Sequence, residues 1–321
     1  MTGLPQASGR WSGRVVPGTH RPTEGAGAQR INAPEGMTAS VVPLSSPERT
    51  RLGGPARSSR AQTERLARHL SDRDQAVLAT LHSHRFLTTS QLQRFHFSNH
   101  ATGDAAARIC RRVLHRLHDL RVIEHLDRRV GGVRAGSASY VWRVGPVGDQ
   151  LLRLAADGQP RGRRKEPSLH HLQHTLAIAD THLTLRDLAA TGQIELLKVE
   201  TEPACWRTYL GFGGGRETLK PDLYAVTGNT DFEDHWLLEV DRATESLPTL
   251  LRKCAQYETY RRTGHAEHDS GVFPLVIWIV PDQTRADTLI AAIAGSRQLD
   301  ASLYRVCVPG SFSAVITGAG A

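Results

Sequence analysis

Apolar and polar positions fall into helical and strand periods only from about residue 61 onward. In "SDRDQAVLATLHSHR", Val77, Leu78 and Leu81 share one face, and Ser71 and Asp74 stand at capping-box spacing. Thr88 and Gln91 form a second such box in "TTSQLQRF". The longer segment "DAAARICRRVLHRLHDL" repeats Ile109, Val113, Leu117 and Leu120 at helical spacing, which predicts a core-facing stripe. At about 100° per residue, Arg108, Arg111, Arg112 and His115 lie on the opposite arc. "VIEHLDRR" and "YVWRV" then read as two strands joined by the glycine-rich "VGGVRAGSAS". Three helices followed by a hairpin is the order of a winged helix-turn-helix, predicted here over residues 61–155. In that fold Arg108, Arg111 and Arg112 would face the major groove of double-stranded DNA, and Arg128, Arg129 and Arg134 would lie over the phosphates.

The second half changes pattern. "SLHHLQHTLAIADTHLTLRDLAA" predicts a helix with Leu172, Leu176, Ala179 and Leu183 as its buried stripe. Strands follow at "IELLKVETE", "LKPDLYAV" and "HWLLEVD", then a helix over about residues 247–262, the strand "FPLVIWIV", a helix "RADTLIAAIA" and a last strand "LYRVCV". An α-β-β-β-α-β order with a further helix and strand calls for an α/β (α+β) domain at residues 168–321, built on a mixed sheet with helices on both faces.

Charge sharpens this division. The 321 residues carry a formal net charge of +8, unevenly placed. Residues 1–60 net +5, residues 61–167 net +9 and residues 168–321 net −6. A basic first half and an acidic second half point to a nucleic-acid contact in one and different chemistry in the other. The first 60 residues, rich in Gly, Pro, Ser and Arg, read as a disordered basic tail, with a start at Met37 as the alternative. "PRGRRKEP", at the end of residues 156–167, reads as a charged linker. Four scattered cysteines without a CxxC pair argue against a zinc ribbon or disulfide scaffold, so a reducing cytoplasm is the expectation. No apolar run suits a membrane span, and the N-terminus lacks a secretory core.

The carboxylates of the acidic half carry the chemistry. Asp222, Glu239 and Asp241 sit in otherwise apolar strands, where an isolated charge is costly to bury. Period two puts Glu239 and Asp241 on one face, and a neighbouring Asp222 strand would bring three carboxylates together. Such a cluster needs a cation, and oxygen ligands favour Mg²⁺ or Mn²⁺, which could activate water for phosphodiester hydrolysis.

Pro221-Asp222, then after sixteen residues Glu239-x-Asp241, resembles the PD-(D/E)xK nuclease-like superfamily. The resemblance implies metal binding by Asp222 and Glu239, with Asp241 assisting. It places the family's lysine at position 241, where this chain has aspartate. Lys253 on the next helix is the replacement, and it would stabilise developing negative charge. On the same helix Gln256-x-x-x-Tyr260 resembles the QxxxY signature of the RecB-type branch. Lys253, Gln256 and Tyr260 fall within about 60° of one another, so Gln256 and Tyr260 would contact a DNA strand or position the site.

"AVLATLHSHRFLTTSQLQRFHF", "PDLYAV" and "LLEVDRATESLPTLLRKCAQYETY" together resemble the replication-relaxation family of plasmid and mobile-element proteins. That resemblance implies a role in plasmid replication or DNA relaxation. Two functions fit: a metal-dependent DNA nicking or cleaving enzyme, and a non-enzymatic replication or transcription regulator whose inactive nuclease-like domain serves a homodimer. His170, His171 and His174 read as a surface cluster at a helix start. "GFGGG" at 211–215 reads as a hairpin tip, and Trp206, Trp236 and Trp278 as core. A tyrosine-nucleophile relaxase would draw on Tyr257 or Tyr260, but the HxH-type strand of such enzymes is absent.

Overall fold

Side-chain caps decide where the first helices begin. The computed structural model describes residues 59–99, 102–130, 139–155, 166–211, 213–228 and 232–319. Helices α1 (Arg60–His69) and α2 (Asp72–His84) start at Ser59 and Ser71, each closing a capping box with Gln62 or Asp74. After the short strand β1 (Leu87–Thr88), α3 (Thr89–His96) repeats the device with Thr88 and Gln91. Helix α4 (Gly103–Asp119) follows, then β2 (Ile123–Val130), β3 (Ser139–Val144) and α5 (Pro146–Ala155). β2 and β3 pair antiparallel, and β1 adds to β3, giving the order β1-β3-β2.

The core-facing stripe of α4 is one row away from the predicted one. Ala106, Cys110, Leu114 and Leu117 are buried, Ile109 and Val113 pack at the edge, and Leu120 is exposed. Two adjacent apolar rows compete on this helix, and the row facing α3 and β2 wins. The expected arc of Arg108, Arg111, Arg112 and His115 remains exposed.

Helix α6 (Leu169–Ala190), capped by Ser168, joins the two cores. The predicted stripe is buried, but against the N-terminal half. Ala179 and Leu183 enter the core of α2–α5, while Leu172 and Leu176 pack with Phe86, Leu126 and Val141. The face that meets the large sheet carries Ile178, Leu185 and Leu188 instead.

That sheet uses β4 (Glu195–Thr201), β7 (Leu223–Gly228), β8 (Glu233–Val240), β9 (Leu275–Ile279) and β10 (Tyr304–Cys307), while β5 (Arg207–Leu210) and β6 (Arg216–Leu219) form a separate hairpin. The order is β10-β9-β8-β7-β4, with β8, β9 and β10 parallel and β4 and β7 antiparallel. The sheet is therefore mixed, as expected. Strand alternation sorts its two faces. Tyr224, Val226, Leu237, Val276 and Trp278 pack with α7 (Leu247–Arg261) and α9 (Gln283–Ala294). Leu223, Ala225, Leu238, Ile277 and Ile279 pack with α6 and α10 (Phe312–Thr317). A short α8 (His265–Ser270) follows α7. β4 lies at the edge and is half-exposed rather than continuously apolar, with its register shifting between Leu196 and Lys198.

All four cysteines are free and buried, and burial pushes each thiol to about 12. Among the described residues no helix is long and apolar enough to cross a membrane. The basic tail up to residue 58, most of the charged linker and the glycine-rich connection with Arg134 lie outside the described residues.

Candidate functional site

The antiparallel pairing of β7 with β8 brings the two sequence-separated carboxylates together. Asp222, just before β7, donates its backbone N–H to the Leu238 carbonyl at 3.1 Å, and its Oδ2 accepts from the Val240 N–H at 2.8 Å. Two hydrogen bonds thus clamp Asp222 on either side of Glu239. Its other oxygen, Oδ1, lies 3.2 Å from Nε2 of His174 on α6.

Glu239 is almost completely buried, at 1% exposure. Lys253 Nζ donates to its Oε2 at 2.5 Å, and the Tyr257 hydroxyl donates to Oε1. Both donors come from α7, four residues and one turn apart, so they reach the same carboxylate. The Lys253 ammonium also stands 6.0 Å from the Trp278 ring centre.

Asp241 has different company. Its Oδ2 accepts from Arg285 Nε at 2.7 Å and its Oδ1 from the Ala243 N–H at 2.9 Å. Arg285 Nη2 donates onward to the Glu245 carbonyl at 2.7 Å. Position 241 therefore fastens the loop between β8 and α7 to α9, a loop tight enough to hold Ala243 at φ 56°.

Electrostatics follow from burial and pairing. Burial lifts the Glu239 carboxyl to about 7, with the Lys253 charge opposing and the Asp222 charge adding to the rise. Burial also works against charge on Lys253, but Glu239 and Asp222 outweigh it and hold the ammonium above the ordinary lysine range. The bond to Asp222 raises the His174 imidazole against its partial burial. Burial, then the Glu239 charge, pushes the Tyr257 phenol well above its usual value.

These groups open on one cavity of about 180 Å³, lined by Asp222, Glu239, Asp241, Lys253, Trp278, His170, His171 and His174 among others. Among the described residues no group of three or more His, Cys, Asp and Glu side chains is disposed to hold a metal ion. Two carboxylates are nevertheless enough for Mg²⁺, which keeps several of its own waters. Asp222 and Glu239 would offer two hard oxygen donors by giving up bonds to His174, Val240, Lys253 or Tyr257. Asp241 differs in its partners: Arg285 and the Ala243 amide tie its two oxygens to α9 and to the loop before α7.

Two further expectations change on α7. Tyr260 is buried, its ring against Tyr209 and Phe273, so it offers no surface to a DNA strand. Gln256 is exposed and does not line the cavity. The tyrosine that reaches the site is Tyr257, which the Lys253-to-Tyr257 spacing of four signals directly. His174 is the other omission. His170 and His171 are exposed as a surface cluster would be, but His174 turns inward to Asp222. Arg285 lies forty-four residues from its partner, and no local pattern could have named it.

On the basic side, Arg108, Arg111 and Arg112 are exposed on α4 and make no hydrogen bond or ion pair among the described residues. His118 extends the same helix face and stacks on His125 of β2, with ring centres 5.0 Å apart. Arg129 stands opposite Tyr140 in the β2–β3 register, with Arg128 beside it in β2.

The sequence profile of the replication-relaxation family matches residues 78–276, well over half of the chain, and the chain belongs to that family. The match takes in every site residue described above except Trp278 and Arg285. No curated protein and no solved structure matches the chain.

Proposed function

We propose that this replication-relaxation protein binds double-stranded DNA through a winged-helix N-terminal half and nicks or cleaves it at a PD-(D/E)xK-like site in the C-terminal half. One observation carries the reading: Asp222, at the entry to β7, and Glu239, on the adjacent β8, line one cavity together with Lys253. Asp222 and Glu239 would hold Mg²⁺ or Mn²⁺. The ion would neutralise charge at the phosphodiester and lower the pKa of an attacking water. The chain's own groups do the positioning. The Val240 amide and His174 orient Asp222, and Tyr257 fixes one oxygen of Glu239. Lys253, kept protonated by its carboxylate neighbours, can turn from Glu239 to a phosphoryl oxygen as negative charge develops there. Exposed Arg108, Arg111 and Arg112 would meet phosphates and groove edges, with Arg128, Arg129 and Arg134 on the wing.

Supercoiled plasmid incubated with the full chain and Mg²⁺ or Mn²⁺ tests the reading. Wild type should convert it to the open-circular form, and Asp222→Ala should not. Equal nicking by both, or none by either, overturns it.

A second reading is favoured by one observation. Each oxygen of Asp222, Glu239 and Asp241 already meets a protein donor. A site closed in this way suits a replication or transcription regulator that binds DNA without cutting it and uses the second half for dimerisation. That protein would shift duplex DNA in a gel at equal strength with wild type and Asp222→Ala, and nick with neither.

A further inference from the structure

A second cavity, of about 250 Å³, adjoins the first and shares His171, His174 and Asp222 with it. Its remaining walls come from the end of α2, from Thr175 and Ile178 of α6, and from the end of β4. Arg85, which follows α2, is the notable one. Its backbone sits at φ 65° and ψ −47°, and the Phe86 N–H donates to the His84 carbonyl across it at 2.7 Å. This is a three-residue γ-turn of the positive-φ kind, rare and strained for any residue with a Cβ.

The surroundings enforce that strain from both sides. Thr201, at the end of β4, donates its hydroxyl to the Ser83 carbonyl at 3.1 Å. His84 is buried, with its ring nitrogen 2.9 Å from that of His182. Arg85 has no packing role to match. Its side chain is 43% exposed and, among the described residues, its ion pair is a loose one, with Glu202 at 3.4 Å. An over-determined, strained turn that presents a solvated guanidinium to a cavity is a feature of binding sites rather than of cores.

We propose that this second cavity is a phosphate subsite continuous with the Asp222–Glu239 site, where Arg85 grips the backbone of one nucleic-acid strand beside the position acted upon. A guanidinium can take two phosphate oxygens at once. The half-exposed Glu202 occupies that place in the free protein, and an ion pair so solvated contributes little, so a phosphate can replace it at small cost. The site is thereby completed by a residue of the DNA-holding half. The inference rests on the reading of Asp222 and Glu239 as the nucleic-acid site, but its test involves no cleavage.

Binding of a short fluorescein-labelled single DNA strand to the full chain, in EDTA, is compared by anisotropy for wild type, Arg85→Gly and Arg85→Lys. Glycine relieves the turn while removing the guanidinium. Arg85→Gly should therefore bind the strand about tenfold or more weakly, while its Tm holds or rises. Duplex affinity, assigned to α4, should not change. Arg85→Lys keeps a charge but not the two-pronged grip, and should fall between. Unchanged strand affinity in Arg85→Gly, no strand binding by wild type, or a Tm that falls together with affinity overturns the proposal. If plasmid nicking is lost in Asp222→Ala while Arg85→Gly binds the strand normally, only the subsite fails. If wild type never nicks but Arg85→Gly loses strand binding, the cleavage reading fails and the subsite stands.

Discussion

The two halves of this chain handle charge in opposite ways. On α4, three arginines stand in solvent with no protein partner among the described residues. Beneath the large sheet, three carboxylates are buried at 1–8% exposure, each with both oxygens bonded to donors of the same chain. Cations left in water remain available to a polyanion, and the gain on binding one comes largely from released counterions. Buried charges cannot wait in that way, because desolvation is costly unless a partner is already present. The first arrangement suits holding DNA. The second suits a site whose internal pairs must rearrange when a ligand arrives.

Removing one partner of the buried network should give the largest effect. Lys253→Ala leaves Glu239 buried beside Asp222 without its cation and should cost about 3–5 kcal/mol in urea unfolding. Replacing both, as Lys253→Met with Glu239→Leu, should recover much of that loss. A Lys253→Ala variant as stable as wild type would erase the contrast between the halves.

Acid titration should separate the halves with smaller but opposing effects. Burial holds His84 at about 4 and His182 at about 3, where an unfolded histidine titrates near 6.5. Because the unfolded chain takes up those protons first, this pair should lose stability as pH falls below about 6.5. Glu239 behaves in the reverse sense. Its folded carboxyl keeps a proton up to about 7, against 4.5 unfolded, so its contribution falls as pH rises from about 4.5 to 7 and is flat above. Two histidines act against one carboxyl, so Glu239 offsets only part of their effect and wild type should keep a net loss of stability towards acid. Urea midpoints across this range should lose their acid slope with His84→Gln and His182→Gln combined, and acquire a steeper one with Glu239→Gln.

The smallest effect belongs to the exposed arginines. Arg111→Ala and Arg112→Ala should leave stability within about 0.5 kcal/mol. Each should lower the slope of log affinity for duplex DNA against log salt by about 0.9, if each neutralises one phosphate. Lys253, neutralised within the protein, should leave that slope unchanged on substitution by Gln. A salt slope that moves with Lys253 and not with the arginines would invert the assignment of the two surfaces.

What could be read in the sequence was local. Ser71 with Asp74 and Thr88 with Gln91 marked helix starts because a cap is satisfied within one turn. The apolar strands were legible through their composition and period, while the pairing of Asp222 with Glu239 came from the resemblance rather than from period two. The register of α4 was not, since Ile109 and Val113 belong to an apolar row as good as that of Cys110 and Leu114, and only tertiary contact chooses between them. The roles of His174, Tyr257 and Arg285 were legible in different degrees. Tyr257 is one turn from Lys253 and could have been found. His174 required knowing that α6 crosses the sheet at Asp222, and Arg285 required the packing of α9.

Helix α6 has a consequence for how this protein can be divided. Its Leu172, Leu176, Ala179 and Leu183 finish the core of the half that precedes it, and its Ile178, Leu185 and Leu188 cover the sheet that follows. A cut made in the loop before it therefore strips one fragment of its lid and leaves the other with a bare leucine seam. Neither piece is a module that could be borrowed alone. The exposed arginine face and the carboxylate pocket should unfold together, as one object with a common spine.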